Sequence, residues 1–257
     1  MSGESLCAYS RLVWERGWVA NHDGNLSLRI GADRYLATPT AFSKRSIAPA
    51  DLVTVDGAGT VLEGTRKVFS EWNLHAAAFD LRPDAMAVIH AHPPHATAAG
   101  LTGLSLERLP LPEAVVSLGR VPTARFVAPG PESAAEVRRL IVEHDVILLP
   151  GNGLLAVGDD LEMAYLRVEL AEHLARILTI ARQQGRAARL DPALEEAMLQ
   201  KRTAAGLGPA GRAAKGKAAP AGAPSREAVA ARVAVRTGDA RLAAQITDEV
   251  MRRLATK

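Results

Sequence analysis

The chain is poor in cysteine and in aromatic residues: Cys7 is its only thiol, and Phe, Trp and Tyr together make up 4% of 257 residues. A single thiol closes no intramolecular disulfide. That excludes a bridge-stapled fold and leaves stability to an ordinary core, which a chain of this length is able to bury. Long apolar runs are also missing. No window reaches the roughly 18 to 20 uninterrupted apolar residues that a membrane span needs. The opening MSGESLCAYSRLVWERGWV carries no continuous apolar stretch of the signal-peptide kind. These absences predict a soluble, cytoplasmic protein in a reducing compartment, without a membrane partner.

Most of the chain also lacks an excess of either charge. Through Arg202 there are 21 basic and 24 acidic residues, a balance of −3; beyond it there are 10 and 4, a balance of +6. The overall +3 therefore belongs to the C-terminal segment, and the body offers no basic groove for nucleic acid. What is present is an average globular composition, 48% hydrophobic and 23% charged.

Leu6, Tyr9, Leu12 and Val13 fall at helical spacing over residues 4–16, and Asn21-His22-Asp23-Gly24 reads as a turn. LSLRI, RYLATPT and LVTVD are short β-rich runs, while AMAVIHAH and DVILLP read as buried strands. Helices are predicted from Ser70 to Phe79, from Glu132 to Glu143 and from Asp159 to about Gln184. The class is mixed α/β. From Thr203 to Ser225 the text is nearly all Ala, Gly, Pro and basic residues and reads as a linker, so the main domain is expected over 1–202. The remainder, 226–257, ends in an amphipathic helix with its core over 241–255. Leu242, Ile246, Val250 and Leu254 form the apolar stripe. So short a helix is marginal alone. Its stripe either folds back on the body, stays solvated, or docks on an external partner, the last being favoured.

The sharpest chemical cluster is Ser70-Glu71 followed by His90-Ala91-His92-Pro93-Pro94-His95. Strand residues two apart share a face, so His90 and His92 are able to present two imidazoles to one ion, with a helix carboxylate nearby. Zinc is the default metal for such a site, with nickel, cobalt and manganese left open by ligand type.

The ordered segments GNLSLR, ATPTAFSK, LVTVD, SEWNLHAAAFDLRPDAMAVIHAHPPHATA and NGLLAVGDDLEMAY resemble the class II aldolase/adducin family over roughly residues 5–185. The resemblance implies a three-layer α/β/α fold with a central, largely antiparallel sheet, assembled as a homotetramer with active sites between subunits. It implies Glu71 as the catalytic carboxylate and His90 and His92 as zinc ligands. The implied reaction is reversible retro-aldol cleavage of a ketose 1-phosphate, of the fuculose or rhamnulose type, to dihydroxyacetone phosphate and an aldehyde. An epimerase or decarboxylase on the same scaffold and a noncatalytic adducin-like scaffold protein are the alternatives.

Three departures stand out. Where the family places its third histidine ligand, this chain has Asn152, leaving Asn152, His95 or Glu113 as the third ligand. Of the family's phosphate-binding residues Asn25, Thr40 and Ser70 are kept, but Ala41 and Phe69 replace a glycine and a serine; Lys44 or Lys67 would compensate. The family's acidic tyrosine has no counterpart in PLPEAVVSLG, where Glu113 is the titratable side chain. The linker and terminal peptide resemble those of enzyme cargo in bacterial microcompartments, which implies shell or cargo proteins as partners.

Overall fold

The computed structural model describes residues 3–185 and 188–217. Seven strands form one sheet in the order β4-β3-β2-β1-β5-β7-β6, with every pairing antiparallel. They are β1 (Asn25–Gly31), β2 (Arg34–Ala37), β3 (Val53–Val55), β4 (Val61–Glu63), β5 (Ala87–Ala91), β6 (Val146–Leu148) and β7 (Leu154–Gly158).

Helices cover both faces of this sheet. On one face α1 (Gly3–Glu15), α3 (Pro94–Thr102), α4 (Pro112–Leu118) and α6 (Leu161–Gln184) pack on Leu26, Leu28, Ile89, Ala91, Leu148, Leu154 and Ala156. On the other, α2 (Trp72–Leu81) and α5 (Pro131–Ile141) pack on Val53, Val55, Val88, Ile147, Leu155 and Val157. Strand residues alternate between these two cores, as the two-residue side-chain period requires. The expected α/β/α layering with an antiparallel centre is therefore the fold observed.

Among the described residues the predicted helices and strands are present, with shifted ends. The strand read in AMAVIHAH stops at Ala91, and Pro94 occupies the first turn of α3, where its missing N–H leaves no intrahelical bond unmade. α3 ends at Gly103, whose φ of 68° is the left-handed conformation that glycine adopts without strain. β4, β7, α3 and α4 lie where periodicity gave no separate signal. Among the described residues no helix is long and apolar enough to cross a membrane.

The boundary drawn at Arg202 differs from the structure. α7 (Pro192–Ala204) runs past it, and α8 (Gly208–Lys217) occupies the first half of the Ala/Gly-rich stretch. Two compact units divide at Arg212, and of the second only 213–217 are among the described residues. The physical reason for the difference is electrostatic. Arg202 binds buried Asp145, and Arg212 binds both Asp84 and Asp145. A compositional reading gives no weight to ion pairs made with a residue 57 and 67 positions away. The rest of the linker and the terminal helix lie outside the described residues.

Candidate active site at the end of strand β5

Register assembles the site. Asn25 on β1 pairs with His90 on β5, and Ser27 with Val88, so Asn25, Ser27 and His90 share the face covered by α2. Helix α2 begins just after Glu71, which places that carboxylate at the sheet's edge and buries His75, one turn on, beneath it.

A hydrogen-bonded chain joins them. Asn25 Nδ2 donates to Glu71 Oε2 at 3.0 Å, which leaves Asn25 Oδ1 to accept from His75 Nε2 at 2.6 Å. His75 Nδ1 then accepts from the Ser27 hydroxyl at 2.6 Å. Each polar atom has a defined role, so the chain fixes His75 as the neutral Nε2–H tautomer. Burial, followed by the nearby His90, pushes the His75 pKa down to about 3 against the opposing pull of Glu71.

On its other oxygen Glu71 accepts from Asn152 Nδ2 at 2.7 Å. Burial acts to raise the Glu71 pKa, but the contacts with His90, Asn152 and Asn25 outweigh it and hold the group well below the usual carboxylate range. Asn152, expected as a metal ligand, is thus occupied in holding Glu71.

His90 is fully buried and donates from Nδ1 to the Leu154 carbonyl at 2.9 Å, which leaves the Nε2 lone pair facing the site. That atom lies 3.2 Å from His92 Nε2 and 3.3 Å from Glu71 Oε2. His92 follows the end of β5, and its backbone N–H is held by the Trp18 carbonyl at 2.8 Å. Burial and the neighbouring His90 lower the His92 pKa, while Asp23, Glu71 and Asn152 oppose the shift.

Three electron-pair donors converge here, an arrangement that calls for a proton or a cation between them. Two nitrogens at about 2.0–2.1 Å from one tetrahedral zinc lie roughly 3.3 Å apart. The His90–His92 spacing of 3.2 Å matches. Among the described residues no group of three or more His, Cys, Asp and Glu is spaced as a complete metal-holding set. The residues therefore fit a divalent ion as an imidazole pair, with Glu71 drawn aside by two amide donors.

The remaining expected residues are placed as follows. Thr40 and Ser70 are exposed on two loops joined by a Pro39–Val68 bridge and by the Thr40 N–H to the Lys67 carbonyl at 2.9 Å. Asn25 is buried behind Glu71 instead of facing those loops. His95 lies in the opposite helical layer, where its ring and backbone both engage Glu172 of α6, so the structure removes it from the ligand candidates. Glu113 is exposed in the first turn of α4, also in that layer, and is not brought to Glu71 within the chain. A groove of about 740 Å³, lined by Trp18, His95, Leu118, Leu166, Arg167 and Arg176 among others, contains none of Glu71, His90 and His92.

Sequence reasoning missed the part played by Asp23 and the burial of Lys44. The Asp23 Oδ2 faces His92 Nδ1 at 3.3 Å, and Lys44, offered as a base for the substrate phosphate, is 2% exposed. The position of Asp23 in the turn directly before GNLSLR was the one available signal.

Residues 4–179 match the model of the class II aldolase and adducin N-terminal domain. The chain belongs to this family. Curated relatives include the L-fuculose phosphate aldolase of Methanococcus maripaludis, 29% identical over 65% of this chain and 90% of that one. The methylthioribulose-1-phosphate dehydratase of Methylococcus capsulatus is 32% identical over 66% and 88%. The 3,4-dihydroxyphthalate decarboxylase of Arthrobacter keyseri is 31% identical over 67% and 75%. Among solved structures, an L-fuculose 1-phosphate aldolase superposes with a TM-score of 0.70 at 28% identity, covering 77% of this chain and 94% of that one. The protein is thus an enzyme of the class II aldolase family, a lyase by family.

Proposed function

We propose that this class II aldolase-family enzyme catalyses reversible retro-aldol cleavage of a ketose 1-phosphate, of the fuculose or rhamnulose type, to dihydroxyacetone phosphate and an aldehyde. The observation that carries the reading is the Glu71 carboxylate, ionised and clamped by two amides, 3.3 Å from an imidazole of the His90–His92 pair. Held by that pair, a divalent ion, zinc by ligand type, would supply Lewis acidity toward substrate oxygen atoms. Glu71 moves a proton to and from the carbon that becomes part of dihydroxyacetone phosphate. Its two amide donors keep it aimed and unprotonated between turnovers.

The Thr40 and Ser70 hydroxyls are exposed, and the Lys67 ammonium is close to them in the sequence of the joined loop. Together they suit the substrate phosphate. Asn25 contributes by holding Glu71. Glu113, exposed on α4, is free to act as the acid in the site of a neighbouring subunit of a homotetramer. The terminal peptide would recruit the enzyme to shell or cargo proteins of a cytoplasmic bacterial microcompartment, where confinement of a reactive aldehyde has an evident use.

Asn152 favours a second reading. Replacing the third imidazole alters the centre, and relatives named as a dehydratase and a decarboxylase share the scaffold. Metal analysis combined with assay of a panel of ketose 1-phosphates separates the two. Metal with release of dihydroxyacetone phosphate supports cleavage. Metal without cleavage supports the dehydratase, epimerase or decarboxylase alternative, and neither metal nor turnover supports a noncatalytic adducin-like role.

A further inference from the structure

We infer that Asp23 is a positioning residue for His92, and that Lys44 seats Asp23 by anchoring the turn that carries it. The inference rests on the metal-centre reading above.

The turn over residues 20–24 is built from residues that suit it. Asn21 has a φ of 49° in the left-handed region, and Asp23 Oδ1 accepts the Ala20 N–H in a short hydrogen bond. Gly24, at φ 64°, packs so closely that an added Cβ would come within 2.3 Å of Val19 Cγ1 and 3.1 Å of the His90 carbonyl oxygen. The turn is thereby pressed against the end of β5. With Oδ1 committed, Oδ2 is left facing His92 Nδ1 at 3.3 Å. A ring that presents its Nδ1–H to a carboxylate directs its Nε2 lone pair the other way, here toward His90 Nε2. Such carboxylate partners orient metal-binding imidazoles and raise their basicity.

Lys44 explains why the turn stays there. Its ammonium donates to the His22 carbonyl at 3.1 Å and to the Phe42 carbonyl at 3.3 Å, tying the turn to the loop that follows β2. Removing an ammonium from water is costly unless negative charge is at hand. The carboxylates acting on Lys44 are Asp23 and Glu71. Two carboxylates and one ammonium leave a net negative charge beside two imidazoles, a field that favours a cation. An apolar side chain would fill the same space without anchoring the turn or balancing Asp23.

The test uses the full chain, its Asp23→Asn, Asp23→Glu and Lys44→Met variants, and zinc alone as the probe. Affinity is measured by competition with a chromophoric chelator, and the tautomer of the metal-free His92 ring by nitrogen-15 spectra. Asp23→Asn is expected to weaken zinc binding about ten- to hundred-fold and to shift the His92 ring toward the Nε2–H tautomer. Asp23→Glu should recover part of the affinity. Lys44→Met should weaken zinc in the same direction and add little to Asp23→Asn, because both act through one contact. Equal zinc affinity in wild type and Asp23→Asn, or an unaltered His92 tautomer, overturns this proposal while leaving the metal-centre reading intact. A wild-type chain that binds no zinc overturns both.

Discussion

Asn152 donates its side-chain amide to Glu71 across 2.7 Å, so the position at which the family carries its third imidazole supports the carboxylate instead. This has opposite consequences for two substitutions. Asn152→His should strengthen zinc binding by about tenfold or more, since imidazole is a better ligand than an amide. Asn152→Ala removes a donor that stabilises the Glu71 anion. The Glu71 pKa should therefore rise, and the acidic limb of the pH–rate profile should move to higher pH. A zinc titration and a pH profile of kcat/KM check the two effects, and a lower zinc affinity in Asn152→His would contradict the first.

His75 makes the fold acid-sensitive in a defined window. Its pKa is about 3 in the folded state, against an unfolded value near 6.5, so between those values the unfolded chain binds more protons and stability falls as pH is lowered. The withdrawn stability is on the order of 5 kcal/mol across the full window. Urea midpoints measured from pH 7 to pH 3 should fall less steeply in His75→Gln than in wild type. Parallel curves would assign the acid lability to other groups.

Lys44 predicts an effect of the same sign at alkaline pH. Burial lowers its pKa to about 8 despite the upward pull of Asp23 and Glu71. Below 8 the folded state carries a buried charge at a cost; between 8 and roughly 10.4 the unfolded chain holds more protons, and stability rises with pH. Lys44→Met lacks this dependence. Its stability relative to wild type should decline by about 3 kcal/mol as pH is raised through that interval, as read from denaturant midpoints of the metal-free proteins. A constant difference between the two proteins would show that Lys44 does not titrate there.

Ala41, which stands where the resembled family has a glycine in its phosphate loop, sits at a φ of 51°, in the left-handed region that glycine adopts without strain. An L-residue in that region is strained by about 1–2 kcal/mol, and glycine relieves the strain while giving back about 0.4–1 kcal/mol in unfolded-state entropy. Ala41→Gly should therefore raise stability by up to about 1.6 kcal/mol. It should also lower KM for a phosphorylated substrate, because the loop would present its N–H groups more freely. A lowered thermal midpoint would refute the strain argument.

The mixed α/β class was legible from local periodicity, and the three-layer arrangement around an antiparallel sheet from the family resemblance that the motifs carry. β5 and α6 are strongly patterned, and Glu71, His90 and His92 stand in the family's spacing. What escaped was set by nonlocal register. Nothing near Asn25 in sequence announces that β1 will pair it with His90 and turn its amide toward Glu71 and His75. Lys44 was unreadable for the same reason, since a lysine between two polar residues has the local signature of a solvated surface. His95 failed in the other direction. Its nearness to His92 in sequence suggested a ligand, but the start of α3 carries it to Glu172 on the far side of the sheet.

Asp145 sets where the domain ends, and the consequence is measurable. It is fully buried and meets Arg82, Arg167, Arg202 and Arg212, the last two contributed by α7 and α8. Removing one partner from a buried ion pair typically costs about 3–5 kcal/mol, because the other charge is left without compensation. Truncation after Ala205 deletes Arg212 and the Leu207 loop, and should lower the thermal midpoint markedly. Truncation after Lys217 keeps the whole cluster, so the midpoint should survive. If the two truncations are equally stable, the Asp145 cluster is closed by Arg82, Arg167 and Arg202 alone, and the domain ends where composition first placed its boundary.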